Sequence, residues 1–346
     1  MKGVLYSTLK RFIRIGFFCY FREIRMHGIQ GVPTDRPVLL LPNHQNALID
    51  ALLYAALARG RRPYFLTRSD VFRNPVMRWL FAGLRMMPIY RLRDGRDTLH
   101  RNQVVFRRCA ALFARGEHIL LFPEANHSLV RRVRPLSKGF TRILSESFQT
   151  YPRLDIQVLP VGVNYQEADG FPDRVAFYFG TPFSAREYWS AHTEELAIAP
   201  LKKRVFDSMT QLTVHIPPEE DSTFWEARLE QEEVDYLDPS GINAFIAGGP
   251  VPVPSLRKRA GMACRSWEMV FRLLNAPVWL PWCRIVAKMV PEPEFMSTFR
   301  FLFFLLAFPL YYLLLWLVLI LLWAPAGATV TVLGLFLHNL AYVKFR

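Results

Sequence analysis

Between Phe301 and Trp323 the chain runs 23 residues, FLFFLLAFPLYYLLLWLVLILLW, without a charge. A bilayer core needs roughly 20 consecutive apolar residues in one helix. This stretch is therefore long enough to cross a bilayer, and it is hard to bury in a soluble core. Ala324-Pro325-Ala326-Gly327 reads as a turn, and Ala328 to Val343 as a second apolar stretch broken only by His338 and Asn339. As a helix that second stretch would measure roughly 24 Å. Arg300 stands before the pair and Lys344 and Arg346 follow it. Positive flanks stay on the cytoplasmic side, so the expectation is a C-terminal transmembrane helical hairpin over about 301–343 with its turn outside.

Two further segments pair aromatic with cationic residues, as helices lying in a headgroup layer do. One is VLYSTLKRFIRIGFFCYF near the N-terminus, within an interfacial region assigned to 1–27. The other, 264–290, carries Trp267, Trp279 and Trp282 among Arg265, Arg272, Arg284 and Lys288. Arg14, Arg22 and Arg25 interrupt any secretory-signal core in residues 1–25. The formal charge of +14 is uneven, because Glu219 to Asp238 holds nine of the 29 acidic residues beside a single arginine. The remainder has 42 basic against 20 acidic residues, a balance of +22. Such a surface attracts anionic partners. No nucleic-acid-binding motif accompanies it and the cations sit near apolar stretches, so membrane lipids are the expected partner. Four scattered cysteines, Cys19, Cys109, Cys264 and Cys283, suit a reducing compartment. The expected location is thus the inner (cytoplasmic) membrane, with the body facing the cytoplasm.

Between the apolar ends the pattern changes. Val38–Leu41, Tyr64–Thr67, His118–Phe122, Ile156–Pro160 and Val175–Phe179 are short apolar runs bounded by turn signals, which predicts strands. Ala47–Ala58, Val76–Leu84, Leu99–Arg115, Thr141–Phe148 and Leu201–Leu212 predict helices. Alternation of this kind gives an α/β domain with a mixed, largely parallel sheet flanked by helices. Its bounds are set at 28–215. An acidic, then Gly/Pro-rich linker covers 216–260, and a membrane-associated region occupies 261–346.

The chemistry-bearing residues fall at strand ends, where α/β folds place their sites. In LLLPNHQNALID, Leu39 to Asp50, an apolar strand ends at Pro42 and His44 follows before the next helix. A neutral imidazole is the natural base near pH 7, and a carboxylate behind it fixes its tautomer. Asp50 offers that carboxylate. Six positions apart on one helix the two would not share a face, so His44 must precede the helix with its ring folded back. FPEANHS, Phe122 to Ser128, puts Glu124 and His127 at a second strand end, and GLRMMPIYR ends in Arg91, whose fork suits phosphate. LPVGVNY holds Gly162, where a backbone can approach closely.

In this order the blocks resemble the glycerolipid acyltransferases typified by bacterial 1-acylglycerol-3-phosphate acyltransferase, over about residues 28–185. The resemblance implies His44 and Asp50 as the catalytic pair and Arg91 as a phosphate-binding residue. It implies substrate contacts from Glu124 and the His127 region, and a Pro-Val-Gly strand at Pro160 to Gly162. Five residues separate His44 from Asp50 where four are usual, which is similar to the branch holding fungal glycerol-3-phosphate and dihydroxyacetone-phosphate acyltransferases. Ala125 stands in place of a glycine, and His127 where arginine is common. The phosphate contact can then pass to Arg131, Arg132, Arg134 or Lys138. Base catalysis without an acyl-enzyme needs neither cofactor nor metal. The implied co-substrate is acyl-CoA or acyl-carrier protein, and the implied acceptor is lysophosphatidic acid, glycerol 3-phosphate or a related hydroxyl.

Overall fold

The computed structural model describes residues 2–57, 62–72, 74, 75, 78, 81, 83–90, 100–124, 126–191, 194–252, 254 and 262–346. Eight strands form one sheet: β1 Phe21–His27, β2 Val38–Pro42, β3 Tyr64–Arg68, β4 Met86–Ile89, β5 His118–Leu120, β6 Gln157–Tyr165, β7 Asp173–Phe179 and β8 Phe183–Ser184. Their order is β1-β7-β6-β2-β5-β3-β4, with β8 also against β6. The five strands from β6 to β4 are mutually parallel. β7 runs against β6 and alongside β1. All nine residues of β6 are buried, as expected for a strand covered on both faces. Pro88 lies in β4, the edge strand, where a missing backbone donor costs least.

Alternation along the strands divides the core in two. Val38 and Leu40 join one apolar layer, while Leu39 and Leu41 join the other. The second layer is closed by α3 Arg101–Ala114, α4 Gly139–Thr150 and α6 Glu194–Leu212, and α5 Arg186–Ala191 precedes α6. The first layer is closed by α1 Lys2–Tyr20 and α2 Ala47–Leu57, and also by the C-terminal residues Val278, Trp282, Phe301 and Phe304. There Phe17 of α1 stacks on Phe301 at 4.3 Å between centroids.

Three expectations change. Residues 21–27 are not interfacial helix; they form β1, because Phe21 is buried and the segment pairs with β7. The sheet therefore starts before residue 28. Residues 216–260 are not a bare linker: α7 Ser222–Gln231 and α8 Pro239–Ile246 pack around Leu229, Val234, Ile242 and Phe245. Asp221 caps α7 by accepting from Thr223 N at 2.9 Å. Finally, the expected turn at 324–327 is shorter, since the last helix already begins at Pro325.

The C-terminal region comprises α9 Met262–Leu274, α10 Ala276–Arg284, α11 Met296–Leu322 and α12 Pro325–Phe345. α11 and α12 are both long and apolar enough to cross a membrane. Leu306, Leu310, Leu317 and Leu321 of α11 stand exposed. The polar breaks in the second stretch have partners on α9 and the α9–α10 junction. Asn339 and Asn275 exchange amide hydrogen bonds of 2.7 and 2.8 Å, and Trp267 Nε1 donates to His338 Nε2 at 3.1 Å. The flanking cations dock onto the sheet domain. Arg300 donates to the Asp169 carbonyl at 2.8 Å, and Lys344 to the Phe21 carbonyl at 2.8 Å.

Candidate active site

β2 ends at Pro42 and α2 starts at Ala47, so residues 43–46 must turn sharply; Ala47 adopts a positive φ of 26° to do so. Side chains hold this strained loop. Asn43 bridges to β6, donating to the Val163 carbonyl at 3.0 Å and accepting from Val163 N at 2.6 Å. Asp50, in the first turn of α2, folds back beneath the loop. Its Oδ2 accepts from Gln45 N at 3.0 Å and Asn46 N at 2.9 Å, and lies 2.8 Å from His44 Nδ1. His44 does precede the helix with its ring turned back. A carboxylate only accepts, so the pairing selects the Nδ1–H tautomer and leaves the Nε2 lone pair available.

Sequence reasoning missed the residue behind this pair. Tyr165, at the end of β6 and fully buried, donates its hydroxyl to Asp50 Oδ1 at 2.6 Å. Burial pushes the phenol pKa well above its ordinary value, which keeps it a donor. Both oxygens of Asp50 are thereby fixed, and the side chain is 1% exposed.

The third block grips the same loop from the neighbouring strand. The His44 ring stacks on Phe122 at 3.8 Å between centroids. Glu124 accepts from His44 N at 3.0 Å, Ser128 N donates to the His44 carbonyl at 3.0 Å, and Arg134 pairs with Glu124 at 3.1 Å. Glu124 also accepts from Arg134 N at 2.8 Å. Glu124 and Arg134 thus brace the loop's backbone and are not among the residues lining the cavity described below. α11 reaches this loop too, because the Ala168 carbonyl accepts from both Asn46 Nδ2 and Ser297 Oγ, each at 2.7 Å.

His44 opens onto a cavity of about 650 Å³. Its lining is mostly apolar, with Leu48, Ala51, Phe106 and, from α11, Phe299 and Leu302; Phe295 lies just before α11. The lining also carries Lys138, together with Arg68 and Arg142, which the sequence reading did not single out. His127 lines it as well, its ring perpendicular to that of His44 at 5.6 Å. Arg131 does not: its guanidinium donates to the Tyr165 and Gln166 carbonyls, both at 2.9 Å, and lies 3.4 Å from the Tyr236 ring centroid. Gly162 is required by the fold, since a Cβ there would fall 2.0 Å from the Leu212 carbonyl oxygen. Arg91 falls outside the described residues. His127, Glu292 and Glu294 each place one potential metal-ligating atom within 4.8 Å of the others.

The site is thus a His–carboxylate pair at the carboxyl ends of parallel strands, beside a largely apolar cavity that also carries cationic side chains. Over residues 23–164 the chain matches the family model described as Acyltransferase. It is 25% identical over 142 residues to a chloroplast 1-acyl-sn-glycerol-3-phosphate acyltransferase of Arabidopsis thaliana, covering 41% of this chain and 36% of that one. A Brassica napus chloroplast protein of the same name is 27% identical over 128 residues, covering 37% of this chain and 35% of its own length. An uncharacterised acyltransferase of Schizosaccharomyces pombe is 28% identical over 300 residues, covering 62% of this chain and 44% of its own. The chain thus spans about a third to under a half of the length of these relatives. The crystal structure of the 1-acyl-sn-glycerophosphate acyltransferase of Thermotoga maritima aligns at a TM-score of 0.43 and 19% identity, covering 59% of this chain and 78% of that one.

Proposed function

We propose that this chain transfers a fatty acyl group from a thioester, acyl-CoA or acyl-carrier protein, to a hydroxyl of a glycerol-phosphate acceptor. Lysophosphatidic acid and glycerol 3-phosphate are the leading acceptors. The observation that carries the reading is His44, backed at 2.8 Å by Asp50, facing a cavity lined by apolar and cationic side chains. His44 Nε2 takes the acceptor's hydroxyl proton as its oxygen attacks the thioester carbonyl. The tetrahedral oxyanion collapses, the C–S bond breaks, and the proton on Nε2 passes to the departing thiolate. The products are an ester and a free thiol, with no acyl-enzyme.

Lys138 and Arg142 supply positive charge for the acceptor's phosphate, Arg68 lines the same cavity in an ion pair with Asp70, and Arg91 is a further candidate. The acyl chain lies along Phe299 and Leu302 of α11, with α11 and α12 crossing the bilayer and the sheet domain on the cytoplasmic side. Arg300, Lys344 and Arg346 at the base of the hairpin support that orientation. The test is to incubate detergent-solubilised protein with labelled acyl-CoA or acyl-carrier protein and a panel of acceptors, then identify the lipid formed. Loss of a general base costs roughly 10²–10⁴-fold. His44→Ala is expected to fall in that range, and a variant retaining more than about a tenth of wild-type transfer would overturn the assignment.

A further inference from the structure

We propose that His127, Glu292 and Glu294 form a divalent-cation site at the rim of the catalytic cavity, taking a transition ion of the Mn²⁺ or Zn²⁺ type. Glu292 and Glu294 come from the turn just before α11, so the set joins the catalytic block to the membrane-associated region. His127 and Glu292 are 165 positions apart, which is why no ligand spacing shows in the sequence.

The geometry fits an ion. His127 Nε2 and Glu292 Oε2 are 2.9 Å apart, and all three donor atoms lie within 4.8 Å of each other. With metal–ligand distances of about 2.1 Å, neighbouring ligands of an octahedral ion stand about 3 Å apart and opposite ones about 4.2 Å. One edge is already at that spacing, and small rotations of the glutamate side chains close the rest. The donors fit too, since one imidazole nitrogen with two carboxylate oxygens suits borderline ions better than Mg²⁺. Three protein ligands leave coordination positions for an incoming oxygen.

Charge favours the same conclusion. Two carboxylates brought this close repel unless a cation lies between them. The site also replaces a missing function: His127 stands where the resemblance leads one to expect arginine, and an ion bound there restores positive charge beside His44. His127 and its ring neighbour Phe295, 4.7 Å away between centroids, both line the cavity. The ion's open positions would therefore take phosphate oxygens of the acceptor, a role that rests on the acyl-transfer reading above; the binding site itself does not.

The test uses full-length protein in detergent, titrated with Mn²⁺ and followed by electron paramagnetic resonance, which reads loss of the free-ion signal. Wild type is expected to take up Mn²⁺ stoichiometrically. His127→Gln and the double variant Glu292→Gln/Glu294→Gln are expected to bind more than about tenfold more weakly while keeping the wild-type unfolding temperature. Wild type that leaves Mn²⁺ free, or variants that bind it equally well, would overturn the site. In transfer assays, chelation should raise KM for a phosphate-bearing acceptor and leave KM for the acyl donor unchanged. Mn²⁺ uptake without any transfer would sink the acyltransferase reading and leave the ion site standing; transfer without uptake would do the reverse.

Discussion

Tyr165→Phe removes one oxygen atom from a fully buried ring and leaves the packing around it intact. The lost contact is the 2.6 Å bond to Asp50 Oδ1, the only hydrogen bond recorded to that oxygen among the described residues. A hydrogen bond to a charged group contributes about 1.5–3 kcal/mol. If that energy holds the carboxylate, and through it the imidazole, in the reactive orientation, its loss appears in the transition state. At 1.36 kcal/mol per decade the rate falls roughly tenfold to a hundredfold. Tyr165 does not line the cavity, so kcat should drop while KM for donor and acceptor stays unchanged. The assay is steady-state acyl transfer with both substrates varied, repeated in an Asp50→Asn background. There the Tyr165 substitution should add little, since the two residues act through one contact. A Tyr165→Phe enzyme with kcat within twofold of wild type would show that the hydroxyl steadies the core and does nothing for His44.

Glu124→Ala should destabilise the domain by about 3–5 kcal/mol, because it strands Arg134 from a carboxylate that is 2% exposed and frees the His44 amide. Thermal unfolding in detergent measures this, and Glu124→Gln, which keeps one of the two acceptor oxygens, should lose less. Asp173 is buried with Oδ2 unpartnered, and burial pushes its carboxyl well above the usual range. The folded state then keeps a proton that the unfolded chain releases above about pH 4, so stability falls as pH rises from there toward the folded pKa. Asp173→Asn should therefore unfold at a higher temperature than wild type at about pH 8, with the gap closing toward about pH 4. An equal gap at both would mean the carboxyl titrates normally.

Much of the site was legible because strand ends announce themselves. β2 and β5 are apolar runs, and the polar residues just beyond them, His44 and Glu124, had to be close since their strands are neighbours. What failed was information carried by pairing, not by pattern. Tyr165 reads as the last residue of an apolar strand, and only the register of β6 against β2 brings its hydroxyl to Asp50. Arg131 and Lys138 look alike in sequence, yet one is tied to carbonyls and the other lines the cavity. β1 was hidden because FREIRMH carries three charges in seven residues, and its place depends on β7 far along the chain. Acidic composition disguised α7, although Leu229 and Val234 anchor it.

One carbonyl oxygen, that of Ala168, receives hydrogen bonds from the loop that holds the base and from Ser297 at the foot of α11. An apolar helix meets a thinner or thicker bilayer by changing its tilt; for α11 in the proposed hairpin, any such lean pulls on an atom shared with Asn46, four residues before Asp50. Turnover should then report lipid thickness, peaking in vesicles whose acyl length matches α11 and declining on either side. A flat profile across lipid lengths would mean that α11 serves only as an anchor.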